Sequence, residues 1–193
     1  NSHIDFASGT TTTIGNNVTL GKGGTGGTTF LLGGGTLQIT AGGTLTNAGT
    51  GAIELGEAST LWINGGTVSL GGSISLGKLN GVAGTDIELP SGNLLVDSGT
   101  LFIGGAGNFA VGRTTGDSCT ATLNSGTITA VNGNLNYGLA GQSGNGTVNL
   151  NGGTLTVKAV AESAGTTPNS TINFNGGTLK AQAASTTFMT GLN

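Results

Sequence analysis

A glycine-threonine pair followed by an aliphatic residue recurs along this chain, at Thr36-Leu37, Thr44-Leu45, Thr67-Val68, Thr100-Leu101, Thr127-Ile128, Thr154-Leu155 and Thr178-Leu179. A short unit repeated many times restricts a chain to solenoids, propellers or arrays, because one unit buries its apolar face only against its neighbours. In the second half the spacing is regular: Thr100 to Thr127 and Thr127 to Thr154 each span 27 residues, and Thr154 to Thr178 spans 24. Each unit reads as one coil of a solenoid.

Three aligned segments, Cys119-Thr120-Ala121-Thr122-Leu123-Asn124, Gly146-Thr147-Val148-Asn149-Leu150-Asn151 and Ser170-Thr171-Ile172-Asn173-Phe174-Asn175, alternate apolar and polar residues. That alternation is the mark of a strand with one buried face. The inward rows are then Ala121/Val148/Ile172 and Leu123/Leu150/Phe174. A second strand follows with Leu101/Ile128/Leu155/Leu179 and Ile103/Ala130/Val157/Ala181 inward, and a third is indicated by Asn108-Phe109-Ala110-Val111 and Asn134-Leu135-Asn136-Tyr137. The expected fold is all-β: a right-handed parallel β-helix with about three strands per coil and about eight coils. It forms a single domain over 1–193, with irregular coils over 1–97 and regular 24–27-residue repeats over 98–193. Thr67 to Thr100 spans 33 residues, so extra residues are expected to bulge out near Lys78 to Thr85.

The 41 glycines lack a collagen period, only two prolines are present, and 35% of residues are hydrophobic, which argues against both collagen and disorder. Charged residues make up 7% of the chain, its net charge is −3, and no Lys/Arg cluster occurs. Nucleic acids and anionic membranes are therefore not expected partners. Apolar runs such as Phe30-Leu31-Leu32 fall far short of the roughly 20 residues that span a bilayer, so no membrane insertion of this segment is expected. The lone Cys119 permits no internal disulfide. A start at Asn1 without an initiator Met reads as a fragment or processed product.

Asn64, Asp97, Asn124, Asn151 and Asn175 close the first strand of successive coils, each before a Gly-Gly or Ser-Gly turn. Stacked amides hydrogen-bond along the axis of such a structure, so a ladder is expected at this corner. Trp62 lies between inward Leu61 and Ile63, which turns its indole outward, with Leu95 aligned in the next coil. Trp62 and Leu95 are the candidate contact strip, the alternative being a patch that the long Lys78–Thr85 insertion covers.

Sites of chemistry are hard to assemble. Lys22 to Thr29 imitates a phosphate loop, but Gly27 stands where the essential lysine belongs and no helical pattern follows. Gly105-Ala106-Gly107-Asn108-Phe109-Ala110 imitates a dinucleotide fingerprint without its helix and reads as a corner turn. Calcium-binding GGxGxD nonapeptides are missing. Asp86 and Glu88 flank Ile87 on a solvated strand face, Arg113 and Asp117 make a surface pair, His3 and Asp5 share a strand face without a nucleophile, and Cys119 reads as a packed thiol. No catalytic, cofactor-binding or metal-ligating residue is expected, and the chain reads as no enzyme.

The segments "GTVNLNGGTLTV" at 146–157 and "STINFNGGTLKAQAASTTFMTGLN" at 170–193 resemble autotransporter-associated β-strand repeats. The resemblance implies a right-handed β-helix carried outside a bacterial cell in a long passenger, at times attached to an outer-membrane barrel or a sorting tail, with no catalytic residues to transfer. The expected role is a non-catalytic extracellular structural or adhesive solenoid without cofactors. Its partners would be itself by end-to-end stacking, through the strand edges near Ile4-Asp5-Phe6 and Phe188-Met189, or the rest of a longer passenger, and surface glycans. The rival reading is a carbohydrate-binding or polysaccharide-degrading β-helix.

Overall fold

Aliphatic residues alternating with Thr and Asn, and broken by glycine every few positions, lay the chain down as short strands that can pair only with the equivalent strand one coil away. The computed structural model describes residues 11–14, 17–20, 30–32, 36–47, 53–55, 59–70, 74–76, 92–104, 107–112, 118–137, 144–162 and 169–190. The strands, coil by coil, are β1 (Thr11–Ile14), β2 (Asn17–Leu20) and β3 (Phe30–Leu32), then β4 (Thr36–Thr40), β5 (Thr44–Asn47) and β6 (Ile53–Leu55). The long β7 (Ser59–Leu70) is followed by β8 (Ile74–Leu76), and the long β9 (Gly92–Ile103) by β10 (Phe109–Val111). The regular coils hold β11 (Ser118–Leu123), β12 (Thr127–Ala130) and β13 (Leu135–Tyr137), then β14 (Asn145–Leu150), β15 (Thr154–Val157) and β16 (Val160–Glu162). Last come β17 (Ser170–Phe174), β18 (Thr178–Ala181) and β19 (Met189–Thr190).

Every strand pairing described is parallel, and no helix occurs among the described residues. The strands form three ladders. The first face runs β1-β4-β7-β9-β11-β14-β17, the second uses β2, β5, the ends of β7 and β9, β12, β15 and β18, and the third runs β3-β6-β8-β10-β13-β16-β19. Because β7 and β9 pass through a corner without interruption, each contributes to two faces. The result is a β-solenoid with three strands per coil.

Register fixes which residues meet. On the first face Leu37 pairs Leu61, Leu61 pairs Leu94, Leu94 pairs Ala121, Ala121 pairs Val148 and Val148 pairs Ile172. Ile39, Ile63, Val96, Leu123 and Leu150 form the parallel row. Both rows from Leu37 to Leu150 are buried, together with Leu45, Val68, Leu101, Ile128 and Leu155 from the second face and Phe109, Leu135 and Val160 from the third. The three faces therefore close over one continuous apolar column.

The other glycine-threonine motifs lie on the second face, whereas Thr36-Leu37 opens β4 and pairs Thr60-Leu61 on the first face. Glycine-threonine marks a bend into a strand and carries no information about which face follows. Phe174 was assigned to an inward row, and it is in register with Leu150, but it is 55% exposed. Among the described residues no strand pairs with the far side of β17, so the axis side of its ring is uncovered.

Tyr137 links two faces through the core. Its ring is fully buried, it passes Gly146, where a Cβ would stand 2.7 Å from Cδ1, and its hydroxyl donates to the carbonyl of Thr171 at 3.1 Å. Burial first, and the charge of Glu162 second, push this phenol well above its ordinary value of 10.0. Above that pH the unfolded chain releases the Tyr137 proton while the folded chain retains it, so folding stability should fall as pH rises. Tyr137→Phe should cost about 1 kcal/mol at neutral pH and flatten this alkaline limb. Denaturant melts at several pH values test both, and tyrosinate absorbance reads the group directly, since Tyr137 is the only tyrosine in the chain.

Candidate functional site

The corner between the first and second faces carries the longest file of side-chain amides among the described residues. Asn124 Nδ2 donates to Asp97 Oδ1 at 2.7 Å, Asn151 Nδ2 to Asn124 Oδ1 at 2.7 Å, and Asn175 Nδ2 to Asn151 Oδ1 at 3.0 Å. A carboxylate only accepts, so Asp97 obliges Asn124 to turn its NH2 toward it, which leaves Asn124 Oδ1 as the acceptor for the next coil. The same logic repeats upward, so one acidic residue at the base sets the direction of the whole file. Ser125 Oγ also donates to the Asp97 carbonyl.

Asn64 does not occupy the rung below. The pairing of β7 with β9 shifts between Ile63/Val96 and Asn64/Ser98, which leaves Asp97 as an extra residue at a bulge. Asp97 Oδ2 instead accepts from Trp62 Nε1 at 2.7 Å. Trp62 thus ends the amide file as well as facing outward, half-buried and in register with the half-buried Leu95. The bulge re-aims Asp97 toward the indole, an arrangement that plain alternation does not produce.

Two further files were missed in the sequence reading. Asn173 Nδ2 donates to Asn149 Oδ1 at 2.8 Å and Asn149 Nδ2 to Thr122 Oγ1 at 3.3 Å, on the outward row of the first face. Asn169 Nδ2 donates to Asn145 Oδ1 at 3.1 Å at the start of the same strands. The sequence carries the signal as Asn recurring at 24 residues, Asn145/Asn169 and Asn149/Asn173. On the second face Thr127 Oγ1 donates to Thr100 Oγ1 at 3.3 Å. Asn149→Ala should therefore cost as much as Asn151→Ala, each about 1 kcal/mol because water replaces part of what an exposed amide loses. Paired denaturation curves check this, and a clear excess for Asn151→Ala would show that the corner file alone matters.

Cys119 is buried and pairs Gly146 in register. Among the described residues no three His, Cys, Asp or Glu side chains gather. An open hollow lies between the second and third faces, lined by Asn132, Lys158, Gln182, Ser185 and Thr187. There the Asn132 N–H, at φ 59°, donates to Gln182 Oε1 at 2.8 Å. The Lys22–Thr29 loop, the Lys78–Thr85 bulge, Asp86 and Glu88, Arg113 and Asp117, and His3 to Phe6 lie outside the described residues. No protein-family model, curated protein or solved structure matches the chain.

Proposed function

We propose that this chain is a non-catalytic structural or adhesive β-solenoid that works outside the cell, a length of surface rod of the kind its resemblance to autotransporter-associated repeats implies. The observation that carries the reading is the set of axial Asn and Thr files on its outer surface. Polar side chains committed to one another along the axis stiffen a rod and add length without adding charge. Its partner along the axis would be a further coil, from a second copy or from the remainder of a longer passenger. Electron microscopy of the purified chain at rising concentration should show short rods or filaments little affected by salt, because main-chain and amide pairing is weakly screened. Release of oligosaccharides from pectin-like polymers would overturn the non-catalytic role.

A second reading, a carbohydrate-contacting face, has one observation in its favour: the Trp62 indole is held by Asp97 beside Leu95 on the outer surface. An aromatic fixed in this way can stack on a sugar ring. Glycan-array binding that disappears in Trp62→Ala while the melting curve is retained would establish it.

A further inference from the structure

We propose that Asn175-Gly176 is a site of spontaneous deamidation, chemically distinct from the otherwise equivalent corner pair Asn151-Gly152. The inference rests on the backbone at the corner and is independent of the proposed function. In the reaction, the Gly176 backbone nitrogen gives up its proton to solvent base and attacks Asn175 Cγ. The N–Cγ bond forms, the Cγ–Nδ2 bond breaks, and the leaving nitrogen takes up a proton and departs as ammonia. Water then opens the cyclic imide at either carbonyl, giving aspartate or isoaspartate, with no change of oxidation state.

Two restraints oppose this chemistry: a hydrogen bond on the attacking N–H and a hold on the side-chain amide. At Asn151-Gly152 both apply fully. The Gly152 N–H donates to the Leu123 carbonyl at 3.1 Å, Asn151 Nδ2 donates to Asn124, and Asn151 Oδ1 accepts from Asn175. At the next corner the turn spends its bonds differently. The Leu150 carbonyl accepts from the Asn175 N–H and from the Gly177 N–H, both at 2.9 Å, stepping over Gly176. No hydrogen bond to the Gly176 N–H is made by any described residue, although the coil toward which these corner amides donate is in place. Gly176 sits at φ 131°, and Asn175 is exposed and held only through Nδ2.

Two other described Asn-Gly pairs are guarded at the attacking nitrogen. The Gly146 N–H donates to Asn169 O at 3.1 Å and the Gly133 N–H to Ala130 O at 3.4 Å with the glycine buried, whereas Asn64-Gly65 lies within β7 in register with Thr40. Isoaspartate at 175 would lengthen the main chain at the corner between β17 and β18. Phe174 over Leu150 and Leu179 over Leu155 could then no longer both hold register. The new carboxylate would also face Asn151 Oδ1, which now accepts from the lost amide.

The test is incubation of the intact chain in mildly alkaline buffer, with peptide mapping by mass spectrometry and enzymatic isoaspartate labelling. Asn175 should be lost at least about tenfold faster than Asn151, which corresponds to roughly 1.4 kcal/mol of local opening. In denaturant the two rates should converge, and Asn175→Gln should abolish the product at that corner. Equal rates at 151 and 175 in the folded chain would overturn the proposal. So would a folded chain that keeps Asn175 intact over the period in which the denatured chain converts.

Discussion

Leu123→Asp should abolish the cooperative folding of this chain under conditions in which Thr122→Asp leaves it folded. Leu123 is 1% exposed and sits in register between Val96 below and Leu150 above, both fully buried. A carboxylate there would sit inside the apolar column, and an unpaired charge in such a place costs several kcal/mol, enough to exceed what a marginally stable domain holds. The neighbouring side chain tests the alternation itself. Thr122 points the other way, half-buried on the outer surface, where its hydroxyl accepts from Asn149 Nδ2, and an aspartate can still accept that bond. Because a solenoid is held by contacts between adjacent coils, the lesion should also uncouple the stack rather than soften it evenly. Hydrogen exchange should lose protection first in β9, β11 and β14. Leu123→Ala supplies the graded case, at about 2–5 kcal/mol for a buried leucine whose cavity cannot collapse. Similar melting temperatures for Leu123→Asp and Thr122→Asp would show the register to be wrong.

The same residues explain how much of the fold could be read beforehand. Alternation identifies the inward row, and the 27- and 24-residue spacing places Ala121, Val148 and Ile172 at equivalent positions, which is where the pairing of β11, β14 and β17 puts them. Alternation does not say whether another coil covers a residue, which is why Phe174 was misjudged. The corner amides were legible because each precedes a turn at a fixed offset. The Trp62–Asp97 bond was not, since it depends on a bulge, and a strand that gains one residue looks no different in sequence from one that does not. The outward Asn files were overlooked for a related reason. Polar residues on the solvent side of a strand have a sufficient explanation in hydration, and only the coil spacing brings Asn149 and Asn173 within 2.8 Å.

Gly126→Ala, a change of one methyl group at a surface corner, should destabilise the chain by more than about 3 kcal/mol. Two costs combine. Gly126 holds φ at 86°, in the left-handed region that a Cβ resists, at about 1–2 kcal/mol for an ordinary residue. The added Cβ would also point along the axis into the coil below, against the carbonyl oxygen of Gly99 and 2.9 Å from its nitrogen. Gly99 is itself in the left-handed region at φ 97°, and Gly153 above meets Gly126 in the same way, with its Cβ position 2.5 Å from the Gly126 carbonyl oxygen. The glycines therefore form a file of their own at the turn that follows the amide file, and no side chain there can swing aside because the obstacle is backbone. To admit a methyl, the coils would have to part beyond the roughly 4.8 Å that strand pairing allows. That would stretch the bond between Thr127 and Thr100 and the one from Asn124 to Asp97 on either side of the turn. Thr129→Ala, in the same coil and facing outward, should stay within about 0.5 kcal/mol of the parent chain. Gly153→Ala should repeat the loss, and the double variant should depart from the sum, since the two glycines touch and share the coil between them. Chemical denaturation of the four variants decides the matter: a loss below about 1 kcal/mol for Gly126→Ala would mean that the corner relaxes around a side chain and that the glycine file does not set the coil spacing.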